Sequence, residues 1–135
     1  MEFKDLVSWY FQRSNDMQIY WNFYVTITLA LLVFFGSAKT PRPKVIAIVL
    51  SLAFVMFAAV NLDGLIDVTR QRNTLAHLAG SLPATLMSGD EHTLAATLTP
   101  PGLPSVVVVH LFGDILVLAG IWYFVLKRSA MREQA

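Results

Sequence analysis

The chain has 135 residues, of which 56% are hydrophobic and 14% charged, with a formal net charge of +1 and a mean hydropathy of +0.58. Soluble domains carry about 25% charged residues, so the balance excludes an ordinary soluble domain and indicates an integral membrane protein. The near-neutral charge, with no basic stripe among aromatics, argues against a nucleic-acid partner. The absence of cysteine excludes disulfides and thiolate-held metals.

In chain order, residues 1–16 place Phe3, Leu6, Val7, Tyr10 and Phe11, followed by Met17, at helical spacing, with Glu2, Lys4, Asp5, Gln12, Arg13 and Asp16 off that face. This predicts an amphipathic helix lying along the membrane interface. Ser14-Asn15-Asp16 is expected to break it and cap the next helix. Residues 17–38 carry no charge and form a first transmembrane span, since a bilayer core of ~30 Å needs about 20 helical residues. The acidic residues ahead of it argue against a cleaved leader. Within the span, Tyr20, Trp21, Phe23 and Tyr24 are expected as an interfacial aromatic belt. Gln18, Asn22 and Thr26 form a polar stripe at i, i+4, i+8.

Thr40-Pro41-Arg42-Pro43 is a rigid turn leading to a second span, residues 45–72, whose outward extension begins after Leu62. It carries Asn61, Asp63 and Asp67; Asp67 and Arg70 stand at i, i+3, where they can simply pair. Residues 73–104 read as a helical extracytoplasmic loop. In it Leu75, Leu78, Ala79 and Leu82 give a short turn stopped by Pro83. Asp90-Glu91-His92-Thr93 opens another, with Leu94 and Leu98 on one face and the acids favoured by the helix dipole. The third span, residues 105–127, holds His110 and Asp114 one turn apart, and residues 128–135 form a tail.

The fold expected is therefore an all-α, single-domain membrane protein of three transmembrane helices, with an N-terminal amphipathic interfacial helix and short helices in the outer loop. Lys39, Arg42, Lys44, Lys127, Arg128 and Arg132 fall on one side. The cations opposite them are diluted by acids. The positive-inside bias predicts an inner-membrane protein with the N-terminus outside and the C-terminus in the cytoplasm.

Ionisable groups at membrane depth are costly and are functional candidates by default. Gln18, Asn22, Thr26, Asn61, Asp63, Asp67, His110 and Asp114 all fall in the outer half of the predicted topology. Turned inward together, they would form an outward-facing polar cavity handling protons or cations in a channel or transporter. Small residues at Gly113, Gly120, Ala47, Ser51 and Ala58 suggest helix contact seams. One alternative is a small subunit of a larger membrane complex whose polar stripe is an assembly interface. Another is a metal or cofactor site drawing on His110, Asp114, His77 and His92, with nitrogen and oxygen donors suited to zinc, copper or iron. No nucleophile motif accompanies the His–Asp pair, so an enzyme is the least supported reading. The partners implied are the lipid bilayer and either further copies of the chain or other membrane subunits.

In its three spans and outer N-terminus the chain resembles one class of phage holin, which implies membrane permeabilisation. In its membrane histidine, His110, it resembles the anchor subunits of respiratory dehydrogenases. That likeness implies a b-type haem whose second axial ligand comes from another chain. No motif accompanies either likeness, and no site residue is carried across.

Overall fold

The computed structural model describes residues 2–37, 43–83, 85 and 87–133. The predicted turn at Thr40-Pro41-Arg42, the end of the first predicted span at Ala38 and the last two residues of the tail lie outside them. The described residues form four helices and no strand: α1 (Phe3–Gly36), α2 (Lys44–Gly80), α3 (Gly89–Thr97) and α4 (Leu103–Glu133). Three of these, α1, α2 and α4, are long and apolar enough to cross a membrane. Large apolar side chains such as Phe23, Val33, Leu52, Met56, Phe112 and Ile115 are exposed along them. A soluble monomer rarely exposes such continuous apolar surface; a protein surrounded by lipid does. The chain is thus an all-helical membrane protein with three candidate transmembrane helices.

Several boundaries differ from the sequence-based expectation. No break separates residues 1–16 from the first span, because α1 is continuous. Its candidate breakers are absorbed into the helix: the Ser14 hydroxyl donates to the Tyr10 carbonyl at 2.9 Å, and Arg13 pairs with Asp16 at 2.8 Å along one face. α2 likewise runs past residue 72 to Gly80, since no glycine or proline intervenes between Leu65 and Ala79. The Leu75–Ala79 stretch is therefore the end of α2 and not a separate turn. Gly80 and Pro83 end the helix. α4 continues from its predicted limit at residue 127 to Glu133, through residues that hold no helix breaker.

The chain divides into two compact units. The first comprises Met1–Tyr20 and Asp63–Val107. Its core joins Phe3, Leu6 and Tyr10 of α1 to Ala79 of α2, Ala95 of α3 and Leu98 just beyond it. The apolar face predicted for residues 1–16 is thus largely packed against protein, with Phe11 left exposed. α3 is held at its start by a reciprocal capping box. The Ser88 Oγ accepts from the Glu91 amide at 3.3 Å, and the Ser88 amide donates to Glu91 Oε2 at 2.7 Å. The helix buries Ala95 and exposes Leu94, so its inner face is set by Ala95 and Leu98 rather than by the expected Leu94 and Leu98. Arg72 reaches back to α1, donating to the Tyr10 hydroxyl at 3.1 Å and lying 4.9 Å from that ring's centre.

The second unit comprises Trp21–Leu62 and Val108–Ala135. Its core is formed by Tyr24 and Phe35 of α1, Ala47, Phe54 and Ala58 of α2, and Val117, Ile121 and Val125 of α4. Heptad spacing organises the buried faces. Phe3, Tyr10, Met17 and Tyr24 recur along α1, Ala47, Phe54, Asn61 and Val68 along α2, and His110 and Val117 along α4. Such a repeat keeps one seam facing its neighbours in left-handed helix packing. Within lipid, where apolar burial gives little drive for association, close packing of small and complementary residues holds these seams together.

Candidate functional site

The buried polar residues of the second unit converge on one imidazole. His110 and Asp114 stand at i, i+4 on α4 and therefore share a face. The His110 Nδ1 lies 3.0 Å from Asp114 Oδ2, and its Nε2 lies 3.1 Å from Asn61 Oδ1 on α2. From α1 the Tyr24 hydroxyl donates to Asp114 Oδ1 at 2.9 Å, with a longer approach of 3.4 Å to the His110 carbonyl. The Tyr24 ring centre is 4.3 Å from that of the imidazole, and the Trp21 ring centre is 5.9 Å away. His110 is wholly buried, Asn61 and Tyr24 nearly so, and the Asp114 side chain retains 18% exposure.

Local geometry explains how the tyrosine reaches the carboxylate. Gly113 precedes Asp114 on α4, and a Cβ there would stand 2.5 Å from the Tyr24 hydroxyl oxygen. The missing side chain is what admits the phenol. Each polar atom of the carboxylate and the imidazole then has a partner: Tyr24 and His110 for the two oxygens, Asp114 and Asn61 for the two nitrogens. A buried polar group without a partner would cost about 1–3 kcal/mol, so this closure permits the cluster to exist at depth.

The arrangement defines a proton inventory. In the orientation in which Asn61 presents its carbonyl oxygen to Nε2, that nitrogen carries a hydrogen. A second hydrogen occupies the Nδ1···Oδ2 contact. It belongs either to the imidazole, giving an imidazolium–carboxylate pair, or to the carboxyl, giving a neutral pair. Both forms carry the same total charge. The centre can therefore hold one proton shared across 3.0 Å without a net charge in the bundle.

Among the expected cavity residues, the structure brings Asn61, His110 and Asp114 together. Gln18, Asn22 and Thr26 are exposed and do not join them. α1 turns Trp21, Tyr24 and Thr28 inward instead, and Asn22 and Thr26 lie off that face. Asp63 and Asp67 are exposed on α2, the latter 3.9 Å from Arg70, which is the local pairing their spacing suggested. His77 and His92 are exposed in the first unit. Among the described residues no group of three or more histidine, aspartate or glutamate side chains is placed to hold a metal ion, so the four-residue metal set does not assemble.

Tyr24 is the member that the sequence reading assigned to an aromatic belt. Its signal was the heptad series Phe3, Tyr10, Met17, Tyr24, which marks the packed face more faithfully than the polar stripe. No family model, curated protein or solved structure matches the chain.

Proposed function

We propose that this is an inner-membrane protein that handles protons, in an oligomeric channel or transport assembly, through the His110–Asp114 centre. The observation that carries the reading is a wholly buried imidazole with an acidic side chain 3.0 Å from one nitrogen and an amide oxygen 3.1 Å from the other. Histidine is the side chain whose ordinary titration range spans neutral pH, and ionisable pairs within membranes recur in proton relays. A proton suits the site better than a larger cation. Both Asp114 oxygens are already engaged in hydrogen bonds, and among the described residues Asp114 is the one carboxylate at the centre. The charge bias of the loops supports an outer N-terminus and a cytoplasmic C-terminus.

The test is proton flux into liposomes containing the purified protein, followed with an internal pH-sensitive dye under an imposed potential. The wild type should acidify the lumen, and His110→Ala and Asp114→Asn should each reduce the rate at least tenfold while both proteins remain helical and oligomeric. A wild-type oligomer that carries no proton current at any imposed pH gradient refutes the proposal.

A second reading is supported by the exposure of Asn22 and Thr26 on a helix whose neighbouring exposed residues, Phe23, Val25 and Ile27, are apolar. Polar side chains directed at lipid find partners by hydrogen-bonding across helices. On this reading the chain is a small subunit of a larger membrane complex. Capture from native membranes should return a stoichiometric chain of different sequence, and Asn22→Leu with Thr26→Val should release it. Return of this chain alone opposes the reading.

A further inference from the structure

The geometry points to a binding site for an organic phosphate anion in the first unit, in the groove that α1 and α2 form around Arg13 and Arg70. The groove has a volume of about 440 Å³, within the ~300–1,000 Å³ range of small-molecule sites. Its wall is rich in donors. Two guanidinium groups, from Arg13 and Arg70, and two amides, from Gln12 and Gln71, line it alongside Trp9 and Leu75. Among the described residues no carboxylate lines it, while Asp16 and Asp67 stand beside the two guanidinium groups. The Thr74 hydroxyl at its edge donates to the Arg70 carbonyl at 3.0 Å within α2.

The existing partners of the arginines leave room for a ligand. Arg13 uses Nη1 on Asp16 at 2.8 Å, with the two side chains 40% and 31% exposed. Arg70 Nη1 lies 3.9 Å from Asp67, beyond hydrogen-bond length, and both groups are more than half exposed. Such solvated pairs contribute little to stability and yield readily to a better acceptor. Guanidinium offers a planar fork of N–H groups that matches phosphate oxygens two at a time. A fully hydrated inorganic ion would leave Trp9 and Leu75 without a purpose in the groove. A phosphate ester fits both parts: its anionic oxygens meet the arginines and amides, and its apolar remainder lies on the indole and the leucine. Trp9 is 46% exposed, and tryptophan beside arginine is the pairing found at the headgroup level of bilayers. The same chemistry is offered by an anionic phospholipid headgroup and by a soluble phosphate monoester.

Two titrants separate these sources. Full-length protein in neutral detergent is titrated with phosphatidylglycerol in one arm and with glycerol 1-phosphate in the other, and adducts are counted by native mass spectrometry. The expected result is a one-to-one adduct with at least one titrant, weakened tenfold or more in the Arg13→Gln, Arg70→Gln double variant. Saturation by the lipid alone assigns a bilayer source, and saturation by the monoester assigns a soluble one. Circular dichroism checks that the double variant keeps its helix content, which substitutions at one exposed and one half-buried helix position should not disturb. A Lys4→Gln, Lys44→Gln variant removes the same charge elsewhere and should bind as the wild type does. Absence of adducts in both arms overturns the inference, as do unchanged binding by the arginine variant and an equal loss in the lysine variant.

Discussion

Replacing Gly113 by alanine puts a methyl carbon 2.5 Å from the Tyr24 hydroxyl oxygen, but 3.4 Å from the ring carbon that bears it and 3.5 Å from the next. Only the oxygen is in conflict, since ordinary contacts begin near ~3.5 Å. To relieve it the hydroxyl must retreat by about 1 Å. Its 2.9 Å bond to Asp114 Oδ1 then lengthens past the range in which a hydrogen bond persists. The ring cannot swing freely, being packed on the imidazole at 4.3 Å and on Phe54 at 6.4 Å. Overpacking of this kind costs about 1–3 kcal/mol, and loss of the hydrogen bond about 0.5–1.5 kcal/mol. Tyr24→Phe alone removes the hydrogen bond and leaves the ring in place, so it should cost only the second amount. The informative protein is the double variant. With the oxygen gone, the alanine methyl meets ring carbons at ordinary separation, and Gly113→Ala should add almost nothing to Tyr24→Phe. The coupling in the double-mutant cycle should therefore equal the whole cost of Gly113→Ala, about 1.5–4.5 kcal/mol. Reversible unfolding of all four proteins in mixed micelles, followed by loss of helical ellipticity as the denaturing detergent fraction rises, supplies the energies. Additive costs would show that the Tyr24 hydroxyl does not stand over Gly113, and the closure of the carboxylate by tyrosine would fall with it.

The remaining predictions use the same reasoning at other positions. Gly64→Ala in the first unit sets a methyl 2.5–2.6 Å from two ring carbons of Tyr20; because ring carbons are involved, Tyr20→Phe should not rescue it, and a loss of about 1–3 kcal/mol should appear in both backgrounds. Gly80→Ala meets nothing within 4 Å and has no positive φ to satisfy, so its unfolding free energy should stay level or rise by up to ~1 kcal/mol. Ser88→Ala removes one half of the α3 capping box and should cost about 1 kcal/mol locally, read as faster amide exchange in residues 91–97 with exchange in α4 unchanged.

The length and apolar character of α1, α2 and α4 were legible because bilayer thickness translates directly into residue number. The pairing of His110 with Asp114 was legible for a similar reason, since i, i+4 on any helix brings two side chains together. Rotation of the helices was not legible from polarity. A helix surrounded by lipid is apolar on its outer face as well, so polarity alone does not mark the inward side. Polarity therefore points the stripe Gln18, Asn22, Thr26 inward, whereas those residues are exposed and the heptad series through Met17 and Tyr24 is buried. The helix ends were obscured by a different effect. Ser14, Asn15 and Asp16 are good caps, but each is also tolerated inside a helix when neighbours one turn away take up its polar atoms, as Tyr10 and Arg13 do for Ser14 and Asp16.

Asn61 is where the structural and the proton-handling readings part. It occupies the same heptad series as Ala47, Phe54 and Val68, the position at which a buried polar residue fixes helix register. For that role the amide needs only to hold the imidazole in one orientation. For proton exchange it must do more. While the centre holds its proton, Nε2 carries hydrogen and Asn61 offers oxygen. When the proton leaves, the carboxylate requires the remaining hydrogen at Nδ1, Nε2 becomes an acceptor, and the amide must turn to present its NH₂ group. An asparagine can serve both states because its two ends are nearly equal in shape, which an apolar neighbour in the heptad series cannot do. Nitrogen-15 spectra of histidine-labelled protein in bilayers follow this directly. Proton handling predicts two exchanging His110 forms, one with both nitrogens protonated or sharing a proton and one with Nε2 bare, accompanied by two environments of the Asn61 side-chain amide. A His110 signal that stays fixed until the helices unfold would leave register as the whole role of the centre.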